Sequence, residues 1–277
     1  LNVQSQEQRI AASDGTLLFV TDWRPEAVES SRGGVVLMHG LGEHSGRYQH
    51  VAQFFNALGM SVRTFDHRGH GRSGGARGDV PDSDCMVRDA QTVIEDFASK
   101  FPVPPILFGH SMGGLVAARY AVEKRSPLRA LVLSSPALAI SLSRGQKLLL
   151  KLLSIVAPGL TLPNGLEQRY LSHDANVVEA YGKDPLVHSK ISARLLNSML
   201  ASIALAQGKA AGLAIPTLLV YAGDDRIVDA GGSETFGKSL PANLAEIHVY
   251  PKLYHEIFNE IDAEQVFGDV RNWLAKL

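Results

Sequence analysis

The sequence predicts an α/β protein, with a mostly parallel central sheet covered by helices on both faces and a helical segment inserted late in the chain. Three observations predict it. Short apolar runs alternate with runs of helical spacing, as repeated βα units do. The strand-like runs are apolar at successive positions, as strands buried on both faces are. Between Ser135 and Thr217 about eighty residues carry no strand signal, which breaks the alternation.

The elements follow in order. Residues 10–12 and 16–20 flank Ser13-Asp14-Gly15 and read as a hairpin. Residues 34–38 form an apolar strand that stops at His39-Gly40, and 48–58 carry helical spacing up to Gly59. Residues 60–65 are the next strand, and 84–101 a helix opened by acidic residues and closed before Pro102. A strand at 105–108, a helix at 114–122 and a strand at 130–134 come next. In the long stretch, 191–212 is expected as the covering helix and 137–190 as surplus to the sheet. The last strands are 217–221 and 247–250, before a closing helix at 263–277. The division is therefore 1–136 as the first part of the core, 137–190 as a helical cap, and 191–277 as the second part of the core.

Composition bounds the function. The 277 residues can bury a sizeable core, and 45 % hydrophobic with 20 % charged residues is ordinary for a water-facing globular protein. A formal net charge of −1 gives no electrostatic footprint for nucleic acid. A single cysteine, Cys85, excludes an intrachain disulfide and a cysteine-based metal site. The start, Leu1 to Glu7, is polar and lacks a signal-peptide pattern, so a cytoplasmic protein is expected; the missing initiator methionine leaves a removed leader open. The most apolar stretch, 148–157, is too short to span a bilayer and contains Lys151.

Gly109-His110-Ser111-Met112-Gly113 lies between a strand and a helix. In that context G-x-S-x-G is a nucleophile elbow, whose sharp turn exposes the serine hydroxyl at the top of a sheet. It also sets the Met112 N–H at a helix start, where donors lack intrahelical partners. Gly71-Arg72-Ser73-Gly74-Gly75 fits the same pattern but is followed by a loop, and no helix opens after Gly69-x-Gly71-x-x-Gly74 to hold a dinucleotide pyrophosphate.

An elbow serine needs a base, and the base needs an acid to hold its tautomer. The order expected with such an elbow is serine, acid, histidine, each in a loop after a strand. His255 is the histidine in the loop after the last strand. Asp224, Asp225 and Asp229 all lie in the loop after residue 221; one is the acid, and the others cap the next helix or pair with Arg226. The oxyanion hole needs two backbone N–H donors. Met112 supplies one, and Leu41 in His39-Gly40-Leu41-Gly42 the other, with His39 as a loop anchor. The surplus segment reads as a lid over the serine, and Leu152 and Ile155 are chosen as lining an acyl channel.

His39-Gly40-Leu41-Gly42-Glu43-His44-Ser45-Gly46-Arg47-Tyr48 resembles a motif of monoacylglycerol lipases and related lysophospholipases of the α/β-hydrolase superfamily. Asp66 to Ser73, the elbow, Asp184-Pro185-Leu186 and Tyr254-His255 also match. The resemblance implies the α/β-hydrolase fold, with Asp225 as the acid and Leu41 and Met112 as the oxyanion donors. It implies that Glu43 and Arg47 help bind the substrate head group; the alternative for this pair is an ion pair bracing the loop. The expected activity is hydrolysis of medium- to long-chain monoacylglycerols through an acyl-enzyme on Ser111, with no metal and no organic cofactor. The expected partners are an acyl-ester substrate and, transiently through the lid, lipid surfaces; nucleic acid is not among them. Lysophospholipase, broad carboxylesterase, aminopeptidase-like, peroxidase-like and non-catalytic binding functions are the alternatives.

Overall fold

The structure is a computed structural model that describes residues 4–25 and 33–277, so the first three residues of the polar start lie outside it. β1 (Gln4–Ala11) and β2 (Leu17–Arg24) pair antiparallel around the expected turn, where Gly15 takes φ +82°. Then β3 (Gly34–Met38), α1 (Gln49–Ala57), β4 (Ser61–Phe65), α2 (Cys85–Ala98), β5 (Ile106–His110), α3 (Ser111–Val122) and β6 (Ala130–Ser134) alternate as expected. The α2 helix ends three residues early, because the N–H groups of Lys100 and Phe101 turn back to Phe97 and Ala98 and tighten the last turn.

After β6 come α4 (Arg144–Val156), β7 (Thr161–Pro163), α5 (Ala175–Lys183), β8 (Lys190–Ser192) and α6 (Ala193–Lys209). The expectation of no strand here is corrected by β7 and β8, which pair antiparallel and straddle residue 190. Strands of three residues are too short to show a period. Then β9 (Thr217–Ala222), α7 (Ala230–Ser239), β10 (Ala245–Tyr250) and α8 (Ala263–Leu274) complete the chain.

Among the described residues the main sheet has eight strands in the order β1-β2-β4-β3-β5-β6-β9-β10, parallel from β4 onward. Alternation of side chains divides the core in two. Val36, Met38, Leu107, Leu131 and Leu219 pack against apolar residues of α2, α3 and α6. Val35, Leu37, Phe108, Val132 and Val220 pack on the other face, against Val51 and Phe55 of α1 and Val266 and Val270 of α8. With both faces covered, the open ground is the rim at the strands' C-terminal ends, where ligands bind in parallel sheets. The chain between β6 and α6 leaves the sheet at that rim. No helix among the described residues is long and apolar enough to cross a membrane.

Candidate active site

Ser111 is the first residue of α3, directly after β5, and takes φ +53°, a conformation that is rare for a residue with a side chain. The elbow glycines permit that turn by close approach. A Cβ on Gly109 would lie 2.5 Å from the Gly113 carbonyl oxygen, and one on Gly113 2.5 Å from those of Met38 and His39. Ser73 in the rival motif is spent on the fold: it donates to the Asp66 carbonyl (2.6 Å) and accepts from the Phe19 N–H (2.8 Å).

His255, from the loop after β10, reaches Ser111 and Asp225 together. Its Nε2 lies 2.8 Å from Ser111 Oγ and its Nδ1 2.7 Å from the Asp225 carboxylate. The tautomer that fits carries hydrogen on Nδ1, which donates to Asp225 and leaves Nε2 to accept from the serine hydroxyl. Asp225 is itself fixed by the N–H groups of Ile227 (2.9 Å) and Val228 (3.0 Å). Of the other two candidates, Asp224 pairs with Arg226 (3.0 Å) and Asp229 accepts from Gly231 N–H (2.9 Å) to cap α7. Burial disfavours the charged form of both partners, yet each is held in it by the other. The Asp225 carboxyl lies below its ordinary range and the His255 imidazole above 6.5.

The loop after β3 is clamped at Gly40. Its carbonyl accepts from His39 Nδ1 (2.8 Å), and His39 Nε2 accepts from the His67 N–H (2.9 Å). Its N–H donates to Glu43 Oε1 (2.6 Å). With the Gly40 carbonyl directed at His39, the Leu41 N–H of the same planar peptide is directed away from it. Leu41 and Met112 both line the cavity that holds Ser111.

That cavity encloses about 360 Å³. Its walls are mostly apolar: Leu149, Leu150 and Leu153 of α4, Leu160 and Leu162 at β7, Leu196 and Met199 of α6, and Ile227 and Val228 beside Asp225. The choice of Leu152 and Ile155 as lining is corrected. They are 56 % and 76 % exposed and, with Leu148 at 71 %, form an outward stripe roughly opposite the Gln146, Leu149 and Leu153 face. The helical period divides α4 into faces but carries no sign of which one turns inward.

Residues 29–262 match the model of a family described as serine aminopeptidase, S33. The chain belongs to that family. Its fold is the α/β-hydrolase fold. The protein is 37 % identical over 97 % of its length to a monoacylglycerol lipase of Mycolicibacterium smegmatis, covering 96 % of that relative. It is 33 % identical over 90 % of its length to the phospholipase YtpA of Bacillus subtilis, covering 95 % of it. The crystal structure of Paleococcus ferrophilus monoacylglycerol lipase superposes with a TM-score of 0.82 at 34 % identity, over 100 % of this chain and 99 % of that one.

Within this S33-family fold, the head-group expectation for Glu43 and Arg47 is corrected. Neither residue lines the cavity, and their side chains are 3 % and 11 % exposed. Arg47 donates to Glu43 (2.5 Å) and to Glu256 (2.6 and 2.7 Å), while Tyr48 OH also donates to Glu43 (2.6 Å). The pair is a brace under the loop. Besides Ser111 and Ser192, the polar part of the cavity wall is instead Gln146, Asn164, Glu167 and Arg226. Nothing in their spacing marks them, since three elements far apart in sequence bring them together.

Proposed function

We propose that this protein hydrolyses carboxylic esters, monoacylglycerols foremost, through an acyl-enzyme on Ser111. The observation that carries the reading is the Ser111–His255–Asp225 hydrogen-bonded chain opening into a leucine-lined cavity. The relatives named as monoacylglycerol lipases support the substrate class.

Ser111 Oγ attacks the ester carbonyl carbon while its proton passes to His255 Nε2. Asp225 stabilises the imidazolium that results. The Leu41 and Met112 N–H groups receive the developing oxyanion. The intermediate collapses, the carbon–oxygen bond to the glycerol breaks, and His255 returns the proton to the departing alkoxide. Water then attacks the acyl-enzyme, giving its proton to His255; the fatty acid leaves and Ser111 recovers its hydrogen.

Residues 137–190 act as a cap. The inward face of α4 lines the acyl path, and Asn164, Glu167 and Arg226 face the glycerol. No residue of α4 is buried, so the helix rests on its capping box at Ser143 and Gln146 (about 1 kcal/mol) and on one packed face. The outward stripe of Leu148, Leu152 and Ile155 beside Arg144, Lys147 and Lys151 suits transient contact with a lipid surface. An aminopeptidase reading requires an acid for the substrate ammonium. Glu167, the carboxylate in the cavity wall, is exposed and paired with Arg169, which favours the ester.

The test is turnover across monoglycerides, diglycerides, lysophospholipids and aminoacyl amides of matched chain length. Monoglycerides should give the largest kcat/KM. A preference for aminoacyl amides overturns the proposal.

A further inference from the structure

His255 lies in a stretch, 251–262, that carries neither helix nor strand. Its loop is nonetheless held from two sides. On one side stands Asp225. On the other stands residues 170–173, part of the insertion and about eighty positions away in sequence. The Tyr170 carbonyl accepts from the His255 N–H (3.4 Å) and the Leu171 carbonyl from the Glu256 N–H (2.8 Å).

Glu260 joins the two strips. Its side chain is 1 % exposed. One oxygen accepts from the Tyr254 N–H (2.7 Å) and from His173 Nδ1 (2.8 Å); the other accepts from the His173 N–H (2.9 Å) and the Ser172 hydroxyl (3.2 Å). A carboxylate offers about four acceptor positions; three are filled outright, and the Ser172 hydroxyl shares its one hydrogen between the fourth and the Asn259 carbonyl (2.9 Å). The Tyr254 ring also stacks on His173, with centroids 3.7 Å apart. Loss of the carboxylate would leave partly buried backbone donors on both segments without this acceptor, immediately before the base.

We infer that Glu260 is a positioning residue for His255: it fastens the base's loop to the insertion, so that the cap as well as the sheet sets where Nε2 stands. The inference rests on the reading of Ser111 and His255 as nucleophile and base. Glu260 touches neither substrate nor the reacting atoms. It acts through the Tyr254–His255 backbone.

The test is Glu260→Gln, nearly the same shape without the charge, assayed on a two-carbon ester that barely uses the acyl path. kcat should fall at least tenfold with KM within twofold. The acid limb of the pH–kcat/KM profile should also move to lower pH, because His255 loses part of the Asp225 contact that lifts it. The other ionisable groups facing His255 are Glu256, Glu43 and His110, and the variant leaves all three in place. If Glu260→Gln does not fold, Ser172→Ala/His173→Phe removes the two side-chain bonds of the link while keeping the His173 and Tyr254 N–H bonds and a stacked ring, and should change kcat and the acid limb in the same directions by less. Activity within twofold of wild type, or a loss of kcat with the acid limb unmoved, overturns the inference. A wild-type enzyme without ester turnover overturns the hydrolase reading and this inference with it. An active wild type beside an unaffected variant overturns this inference alone.

Discussion

Arg47 grips Glu256 with both terminal nitrogens, at 2.6 and 2.7 Å, and Glu256 is the residue next to His255. Burial opposes the charge on Glu256, yet Arg47 carries its carboxyl down to about 2. Glu43, on the other side of Arg47, is raised by burial and holds the Gly40 N–H. One guanidinium thus ties the loop after β3 to the loop that carries His255.

Glu43→Gln should therefore lower kcat by about 10- to 10²-fold, less than outright loss of an oxyanion donor. KM for monoglycerides should stay within about twofold. Steady-state kinetics on monoglycerides and plain alkyl esters decide it. A rise in KM confined to glycerol esters would restore the head-group role.

Ser111→Ala should reduce kcat by roughly 10⁶, read on a preparation free of host esterases. Ser73→Ala should leave kcat near wild type but lower stability by about 1–3 kcal/mol, since the Phe19 N–H loses its buried acceptor. Denaturant melts of the two variants separate these effects. A Ser111→Ala enzyme with near-normal turnover ends the mechanism as written.

Asp225→Asn should cost on the order of 10⁴ in kcat, because the imidazole loses the partner that holds its tautomer. Asp224→Asn, at an exposed pair with Arg226, should change little. Asp229→Ala should remove a helix cap worth about 1 kcal/mol and spare the chemistry. A large kinetic loss at Asp224 or Asp229, with Asp225→Asn near wild type, would show that the acid is misassigned.

In the proposed mechanism His255 acts as a base, which requires it to be neutral. Burial lowers its tendency to protonate, but Asp225 outweighs burial and holds its pKa above 6.5. kcat/KM should therefore fall as pH drops through a point above 6.5, and Asp225→Asn should shift that limb down. Stability runs the opposite way. A raised folded pKa stabilises the fold below the unfolded value, and that contribution fades as pH rises through the folded one. A rate that stays flat from about pH 5 to about 8 contradicts a histidine base.

The two faces of α4 should separate by assay. Leu149→Asp or Leu153→Asp, on the cavity face, should flatten the rise of kcat/KM with acyl length and spare two-carbon esters. Each buried methylene supplies up to about 0.8 kcal/mol to that rise. Leu152→Asp or Ile155→Asp, on the outward face, should leave the slope on monomeric substrates intact and weaken binding to lipid vesicles in a sedimentation assay. A wild-type preference for acetyl over octanoyl esters would falsify the acyl path.

The features that depend on chain neighbours are legible in the amino-acid order alone. Alternating apolar runs predict the sheet and its covering helices, and the strand–turn–helix context separates Ser111 from Ser73. A histidine after the last strand marks His255, although Ala245 and Glu246 of that half-wet edge strand carry no apolar signal. What tertiary structure decided is which surface each side chain meets. Asp225 stands out from Asp224 and Asp229 only because the two flanking loops approach each other at a parallel strand pair, β9 with β10. Glu43 and Arg47 turn away from the cavity because Glu256, some 209 positions from Arg47, completes their network from below. Leu149 and Leu153, rather than Leu152 and Ile155, line the cavity because the approach of α6 orients α4. Periodicity shows which residues share a face, but the energy that chooses a face comes from desolvation and hydrogen bonding against segments distant in the chain, and those partners exist only once the fold has formed.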